Sequence, residues 1–375
     1  LSITLFLDKK GVEYASFDAK RFKFFYEKYK DRFQNLPRIV QIVGTNGKGT
    51  TGRFLAQILK NSGLKAGHFT SPHILSFTER FWLNGSDISL KELEDAHQQL
   101  LSLFGDELDT LSYFEYLTLL CLPVFSDKVD VLVLEAGLGG EFDSTTVFPK
   151  ELLLVTNIGL DHQEMLGKTI EEITLTKLRA AANTPIIVGI QSSEEVCGII
   201  KKEFSGENIS FVKGIKPEIS EFASKSGFAA YLQANLALAL AAAEFFEVIN
   251  PRLENIPVLK GRFERIAPNI TVDVGHNALA AQMIKKELNG KKVTLIFNCY
   301  ADKDPQSVLE ILKESIKRVE IIDVSGKRVI DKEELIKILD RIGFLYGDFT
   351  ETKEDEEYLV FGSFSVVCEF LRRLS

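Results

Sequence analysis

The feature that most restricts what this chain can fold into is a strand-like run, Arg38 to Val43, followed at once by Gly44-Thr45-Asn46-Gly47-Lys48-Gly49-Thr50-Thr51 and then by a segment of helical period. Glycines at a strand-to-helix junction let backbone N–H groups wrap a phosphate, and the helix start adds its own donors and the positive end of its dipole. Asn46, Gly47 and Gly49 belong to that wrapping backbone, Lys48 offsets terminal-phosphate charge, and Thr50 or Thr51 offers a hydroxyl to the phosphate or its magnesium. The spacing departs from the usual phosphate-loop pattern, since two residues separate Gly44 from Gly47 and a further glycine follows the lysine. A glycine-rich turn that binds nothing is the plain alternative. The strand before it, and Phe54, Leu55, Ile58 and Leu59 at helical spacing after it, disfavour that alternative.

Elsewhere, short β-rich apolar runs alternate with helical periods, the signature of parallel α/β layers. Val131 to Glu135 and Leu152 to Thr156 read as buried strands, and Thr51 to Ser62 as a helix stopped by Gly63. Ser89 with Glu92 and Thr169 with Glu172 mark two helix starts by capping boxes. Ala-rich 229–246 reads as a buried helix, and the break at 247–260, with Asn250-Pro251 and Pro257, reads as a domain boundary. Past it the alternation resumes: strand 270–274, helix 278–288, strand 292–297, helix 305–316, strand 319–324, helix 332–341, strand 358–361 and a last helix from Ser365. The expected fold is α/β, with residues 1–255 a P-loop-containing, mostly parallel sheet domain with helices on both faces. Residues 256–375 form a smaller, Rossmann-like α/β domain. A chain of 375 residues, 45% hydrophobic, has material for both.

Composition narrows the partners. A net charge of -8 disfavours the clustered Lys and Arg that neutralise extended phosphate, so no nucleic acid is expected. Four cysteines, without metal-ligand or CxxC spacing, read as reduced thiols and point to the cytoplasm. No apolar run reaches the roughly 18 to 20 residues of a bilayer span, so no membrane partner is expected. Glu135 closes its strand at the carboxyl end, where open α/β sheets place ligand-binding groups, and magnesium bound with ATP wants hard oxygen ligands.

The sequence resembles the Mur ligase superfamily and, within it, the folylpolyglutamate and dihydrofolate synthases, whose loop is written GTNGKGS or GTNGKGT. The resemblance continues in Thr70-Ser71-Pro72-His73, Glu79-Arg80 with Asn84-Gly85, Phe114-Glu115, Glu135-Ala-Gly-Leu-Gly-Gly140 and Ile158-Gly-Leu-Asp161-His162 with Leu166-Gly167. It runs on through Gly261-Arg262-Phe-Glu264, Asp273-Val-Gly-His276-Asn277, Asp302-Lys303-Asp304 and Gly362-Ser363.

The resemblance implies two magnesium ions, one held by Glu135 and Ser71 and the other by His162, although histidine is an unusual partner for magnesium. It implies a catalytic Lys177 carboxylated on its amine, although Thr176 and Leu178-Arg179-Ala180 differ from the family's E-K-A-G-I. Asn235 is implied on the adenine side and Arg262 at the phosphates. Asp273 is implied at the ribose, and His276 as a catalytic residue; the alternative the resemblance leaves open is that Asp273 or His276 faces glutamate. His68 and His97 read as structural, and His73 as shaping its turn. Glu141 and Thr146 stand where the family has Arg and Asn, which puts substrate orientation in doubt, and the chain is shorter than typical members between Ile187 and Ser226.

The implied reaction uses ATP to phosphorylate the carboxylate of dihydropteroate or a folate, after which the amine of L-glutamate attacks the acyl phosphate. A monomer handling only small molecules is expected. Two alternatives stay open: a nucleotide-binding paralogue without ligase activity, and another Mur-type ligase.

Overall fold

A computed structural model describes residues 2–11, 18–33, 35–206, 208–326 and 328–374. The chain divides into two compact units, the first comprising Leu1–Gly159, Gln163–Ser226 and Leu232–Pro257, the second Leu160–His162, Gly227–Tyr231 and Val258–Ser375.

In the first unit the strands are β1 (Arg38–Val43), β2 (Ala66–Phe69), β3 (Phe81–Leu83), β4 (Ser86–Asp87), β5 (Val131–Glu135), β6 (Leu152–Val155), β7 (Ile186–Val188) and β8 (Ile209–Phe211). Among the described residues they form one sheet in the order β4-β3-β2-β5-β1-β6-β7-β8. Pairing is parallel from β2 to β8, and β3 and β4 add an antiparallel edge. The central strands are continuous apolar runs because both faces are covered. Ile39, Leu132 and Leu134 share a face and pack with residues of helices Leu90–Phe104 and Tyr113–Phe125. Val43, Leu153, Val155, Ile186 and Val188 join Ile173 and Leu178 of helix Ile170–Leu178 in a further core. Helix Lys48–Asn61, buried along most of its length, packs against β1, β2 and β5.

Helix starts follow local chemistry. Both expected capping boxes form, at Ser89 with Glu92 and at Thr169 with Glu172. Ser112 with Glu115 and Ser76 with Glu79 add two that the sequence reading passed over. The phosphate-loop helix begins at Lys48, three residues before the expected Thr51, because Gly47 takes a left-handed N-cap conformation (φ 90°, ψ -2°) and turns the chain directly into it.

The second unit holds β9 (Glu264–Ala267), β10 (Ile270–Val272), β11 (Val293–Phe297), β12 (Ile316–Ile321), β13 (Tyr346–Asp348) and β14 (Tyr358–Phe361). They form a sheet in the order β13-β12-β11-β14-β10-β9, parallel except for β9. Here β12 starts at Ile316, earlier than the apolar run 319–324 suggests, because helix Pro305–Leu312 ends in a tight turn at Lys313–Ser315. The polar residues of β12 fit a strand because Arg318 pairs with Glu320 (2.5 Å) and with Glu356 (3.1 Å).

Candidate active site

The sheet register of the first unit brings three loops to one end. Ile42 of β1 lies opposite Glu135 of β5, and Leu134 lies opposite Phe69 of β2. The phosphate loop, Glu135 and the Thr70-Ser71 turn therefore leave the sheet side by side. Gly44 (φ 146°) is packed so closely that an added Cβ would sit 1.9 Å from Thr156 Oγ1. Thr45 N and Asn46 N both donate to Asn157 O (3.0 and 3.2 Å), and Thr45 Oγ1 donates to Gly159 O (2.9 Å). The first intrahelical bond runs from Thr51 N to Gly47 O. Lys48, Gly49 and Thr50 thus carry backbone N–H groups with no intrahelical acceptor, which suits them to an anion.

Asn235 comes from the helix Ala230–Phe245, far along the sequence, and lies against Gly47, where an added Cβ would meet its Oδ1 at 2.3 Å. Two lysines converge on Gly44 O: Lys48 Nζ at 3.3 Å, also 3.3 Å from Thr45 O, and Lys177 Nζ at 2.9 Å. Lys177 is only 3% exposed. Its backbone is pressed against the loop after β5, since an added Cβ on Gly140 would meet Lys177 O at 2.6 Å.

Glu135, 5% exposed, accepts from the Thr70 hydroxyl and from Ser71 N (3.1 Å), both on Oε2. A carboxylate fixed beside a phosphate-binding loop, with the Ser71 turn next to it, fits the hard oxygen ligands that magnesium takes with a nucleoside triphosphate. The substituted positions are locally satisfied. Thr146 Oγ1 donates to Gly140 O (2.6 Å) and accepts from Gln41 Nε2 (2.6 Å), while Glu141 faces Arg179 at 3.4 Å. Between them Asp143 takes Leu138 N and Thr145 N (both 2.9 Å), and burial pushes its carboxyl above the usual range against these bonds.

His68 is buried, accepts Arg53 Nε on Nδ1 (3.3 Å) and is held neutral by burial and by the arginine's charge. His97 bonds the Tyr116 hydroxyl (2.5 Å), and His73 accepts from Arg80 Nε (2.9 Å).

The second unit holds the other expected residues. Asp273 is buried and fully engaged: its Oδ2 accepts the Tyr231 hydroxyl and Phe263 N (both 2.8 Å), and its Oδ1 accepts Gly275 N (2.7 Å). Burial raises its pKa, opposed first by the charge of Arg262. These bonds shape the turn Gly261-Arg262-Phe263, where Gly261 N also donates to Glu264 (2.7 Å) and Arg262 lies 5.0 Å from the centre of the Phe364 ring. His162, although it follows β6 in sequence, packs within this unit. Beside it Asp161 forms an ion pair with Lys303 (2.6 Å), accepts Asn277 Nδ2 (3.0 Å) and lies 3.5 Å from His276 Nε2. Thr70, Asp161, Asn277 and Lys303 were not singled out from sequence, although each lies inside a quoted motif.

A strand, a left-handed glycine and a helix start beside a fixed carboxylate define a phosphate-loop nucleotide-binding protein. No family model matches the chain. The dihydrofolate synthase/folylpolyglutamate synthase of Bacillus subtilis is 30% identical over 321 residues, 74% of this chain and 74% of its own length. The crystal structure of Helicobacter pylori folylpolyglutamate synthetase is 40% identical, with a TM-score of 0.80 over 99% of this chain and 97% of that one. The Yersinia pestis bifunctional folylpolyglutamate synthase/dihydrofolate synthase, complexed with AMPPNP and Mn ion, is 26% identical, with a TM-score of 0.82 over 99% and 97%. The chain belongs to the dihydrofolate synthase/folylpolyglutamate synthase family of ATP-dependent ligases.

Proposed function

We propose that this protein uses ATP to join L-glutamate to dihydropteroate and to reduced folates, acting as a monomer in the cytoplasm. The observation that carries the nucleotide part of this reading is the fixed Glu135 beside a loop that offers the N–H groups of Lys48, Gly49 and Thr50. Family membership carries the choice of acceptor and amino acid.

A carboxylate is a poor electrophile, so it must first be activated. The γ-phosphoryl group of ATP passes to a carboxylate oxygen of the pteroate or folate, and ADP leaves. The amine of glutamate then attacks the acyl carbon, loses its proton, and phosphate departs as the amide forms. Such steps depend on positioning and on neutralising charge. Asn46 and Gly47 shape the loop, the N–H groups of Lys48, Gly49 and Thr50 bind phosphate oxygens, and the Lys48 ammonium offsets their charge. Asn235, packed on Gly47, orients the nucleotide. Glu135 and Ser71 would hold one magnesium ion, and His162 would hold a second only through Nδ1 or by displacing the Lys303 ammonium, 3.3 Å from its Nε2; magnesium supplies charge neutralisation at the phosphates. By family resemblance Arg262, its turn fixed by Asp273, serves the phosphates, and His276 serves glutamate. Lys177 holds the phosphate loop through Gly44 O, and carboxylation of its amine would replace that contact.

The test supplies MgATP and L-glutamate with dihydropteroate in one reaction and tetrahydrofolate in another, and follows ADP together with product mass. Gain of one glutamyl unit in both, abolished in Lys48→Ala and Glu135→Ala, is the expected result. ADP release without product would overturn the reading, and gain in one reaction alone would restrict the acceptor.

A further inference from the structure

We propose that Asp161, Lys303 and Asn277 form a clamp that fixes the imidazoles of His162 and His276, making Asp161 and Lys303 positioning residues for amide formation; the catalytic part of this rests on the ligase reading above. Asp161 gathers donors from three stretches of sequence that meet in the second unit. Its Oδ1 accepts Lys303 Nζ at 2.6 Å and the amide of His162 at 2.9 Å. Its Oδ2 accepts Asn277 Nδ2 at 3.0 Å, with His276 Nε2 3.5 Å away. Lys303 reaches past the carboxylate to His162 Nε2, 3.3 Å from its Nζ. The carboxylate therefore meets both histidines, and the ammonium meets the His162 imidazole.

Each support is itself held. Asn277 caps the helix Ala278–Leu288 through Oδ1, which accepts Ala280 N at 2.9 Å and so directs its amide N–H group at Asp161. In Asp302-Lys303-Asp304 the two acids are committed elsewhere, Asp302 to Arg328 (2.9 Å) and Asp304 as the cap of the helix Pro305–Leu312. That leaves Lys303 as the residue of the motif that reaches Asp161. His162 sits at φ 51°, a left-handed conformation that a non-glycine residue keeps when its surroundings impose it. The bond from its amide to the Asp161 carboxylate is part of that imposition.

The side chains of Asp161 and Lys303 are 9% and 5% exposed. A buried ion pair gains little stability over an apolar pair of similar volume, because desolvation offsets the attraction. What it supplies is direction: a carboxylate with fixed donors leaves its neighbours few orientations. The Lys303 ammonium is directed at Asp161 Oδ1 and His162 Nε2, so it acts through those side chains.

The chain has five histidines, few enough for each imidazole to be followed separately by nitrogen NMR on the labelled full-length protein. In Lys303→Met the His162 and His276 resonances should shift or broaden while those of His68 and His97 stay in place. Turnover should fall at least about tenfold with the ATP KM changed less than about threefold. Asp161→Asn, which keeps the side-chain shape, should give the same pattern, and the double variant should be no worse than the worse single one, as expected for residues acting as a unit. A lower melting temperature with unmoved His162 and His276 resonances in both variants would overturn the proposal, as would losses that multiply. If the unaltered protein forms no amide, the ligase reading fails, and the NMR comparison still decides the clamp.

Discussion

Replacing Gly47 by alanine tests how the phosphate loop is packed. Gly47 has φ 90°, and an added Cβ would lie 2.3 Å from Asn235 Oδ1 and 3.1 Å from its Cγ. Left-handed backbone costs an L-residue about 1–2 kcal/mol. Moving Asn235 away from a favoured rotamer adds about 0.5–1.5 kcal/mol. Stiffening the unfolded chain returns about 0.4–1 kcal/mol. The net loss for Gly47→Ala is therefore about 0.5–3 kcal/mol. In an Asn235→Ala background the clash disappears and the backbone cost stays, so the two changes should couple by about 0.5–1.5 kcal/mol. The chain has one tryptophan, Trp82 on β3, so urea unfolding followed by its fluorescence reports on the first unit alone. Equal losses from Gly47→Ala in both backgrounds would refute the contact between Asn235 and the loop.

Gly140→Ala should destabilise the same unit by about 1–3 kcal/mol, because the new Cβ would meet only backbone, Lys177 O at 2.6 Å and Lys177 Cα at 2.8 Å; a variant with an unchanged urea midpoint would exclude that packing. Arg179→Ala should cost no more than about 0.5 kcal/mol, since its pair with Glu141 is exposed and 3.4 Å long, and a larger loss in the same assay would show that the pair does more. Lys150, which donates to Ala180 O (3.0 Å), has its pKa pushed down by burial from the ordinary 10.5 to about 8. Between those values the unfolded chain holds the proton that the folded chain has released, so stability should rise with pH across that window. Unfolding followed through Trp82 at pH 7.5 and at pH 10 should show the native protein gaining on Lys150→Gln, and parallel curves would contradict the assignment.

The parts of the site that sequence made legible are those built from contiguous chemistry. The strand, the glycines and the helix after them could be read together because each constrains the next, and Glu135 stood out as an acid ending an apolar strand. The contact of Asn235 with Gly47 could be named only by resemblance, since nearly two hundred residues of chain separate them and local pattern carries no trace of such a meeting. The roles of Thr70 and Asn277 depended on register and cap geometry. Lys303 was quoted as part of a motif and given no task, because a lysine in a polar turn is ordinarily solvated. The late start assigned to β12 came from carrying the helix to Ile316 and leaving the polar Lys317 and Arg318 between elements, when Arg318 is matched by Glu320 and Glu356. Nothing periodic marked Leu160–His162 or Gly227–Tyr231 as belonging with residues 42 to 142 positions away, because segments so short have no period.

Those two short segments bear on how the protein can be inherited. The backbone passes between the units at five peptide bonds, after Gly159, His162, Ser226, Tyr231 and Pro257. A fragment beginning at Val258 would lack Asp161 and Tyr231, leaving the buried Lys303 ammonium without its counter-ion and removing the hydroxyl that Tyr231 gives to Asp273. Neither loss is repaired by water without opening the interior. Gene fusion or exchange at a single junction would therefore yield a damaged second unit, and a lineage could trade that unit with a relative only by carrying the two small inserts along with it.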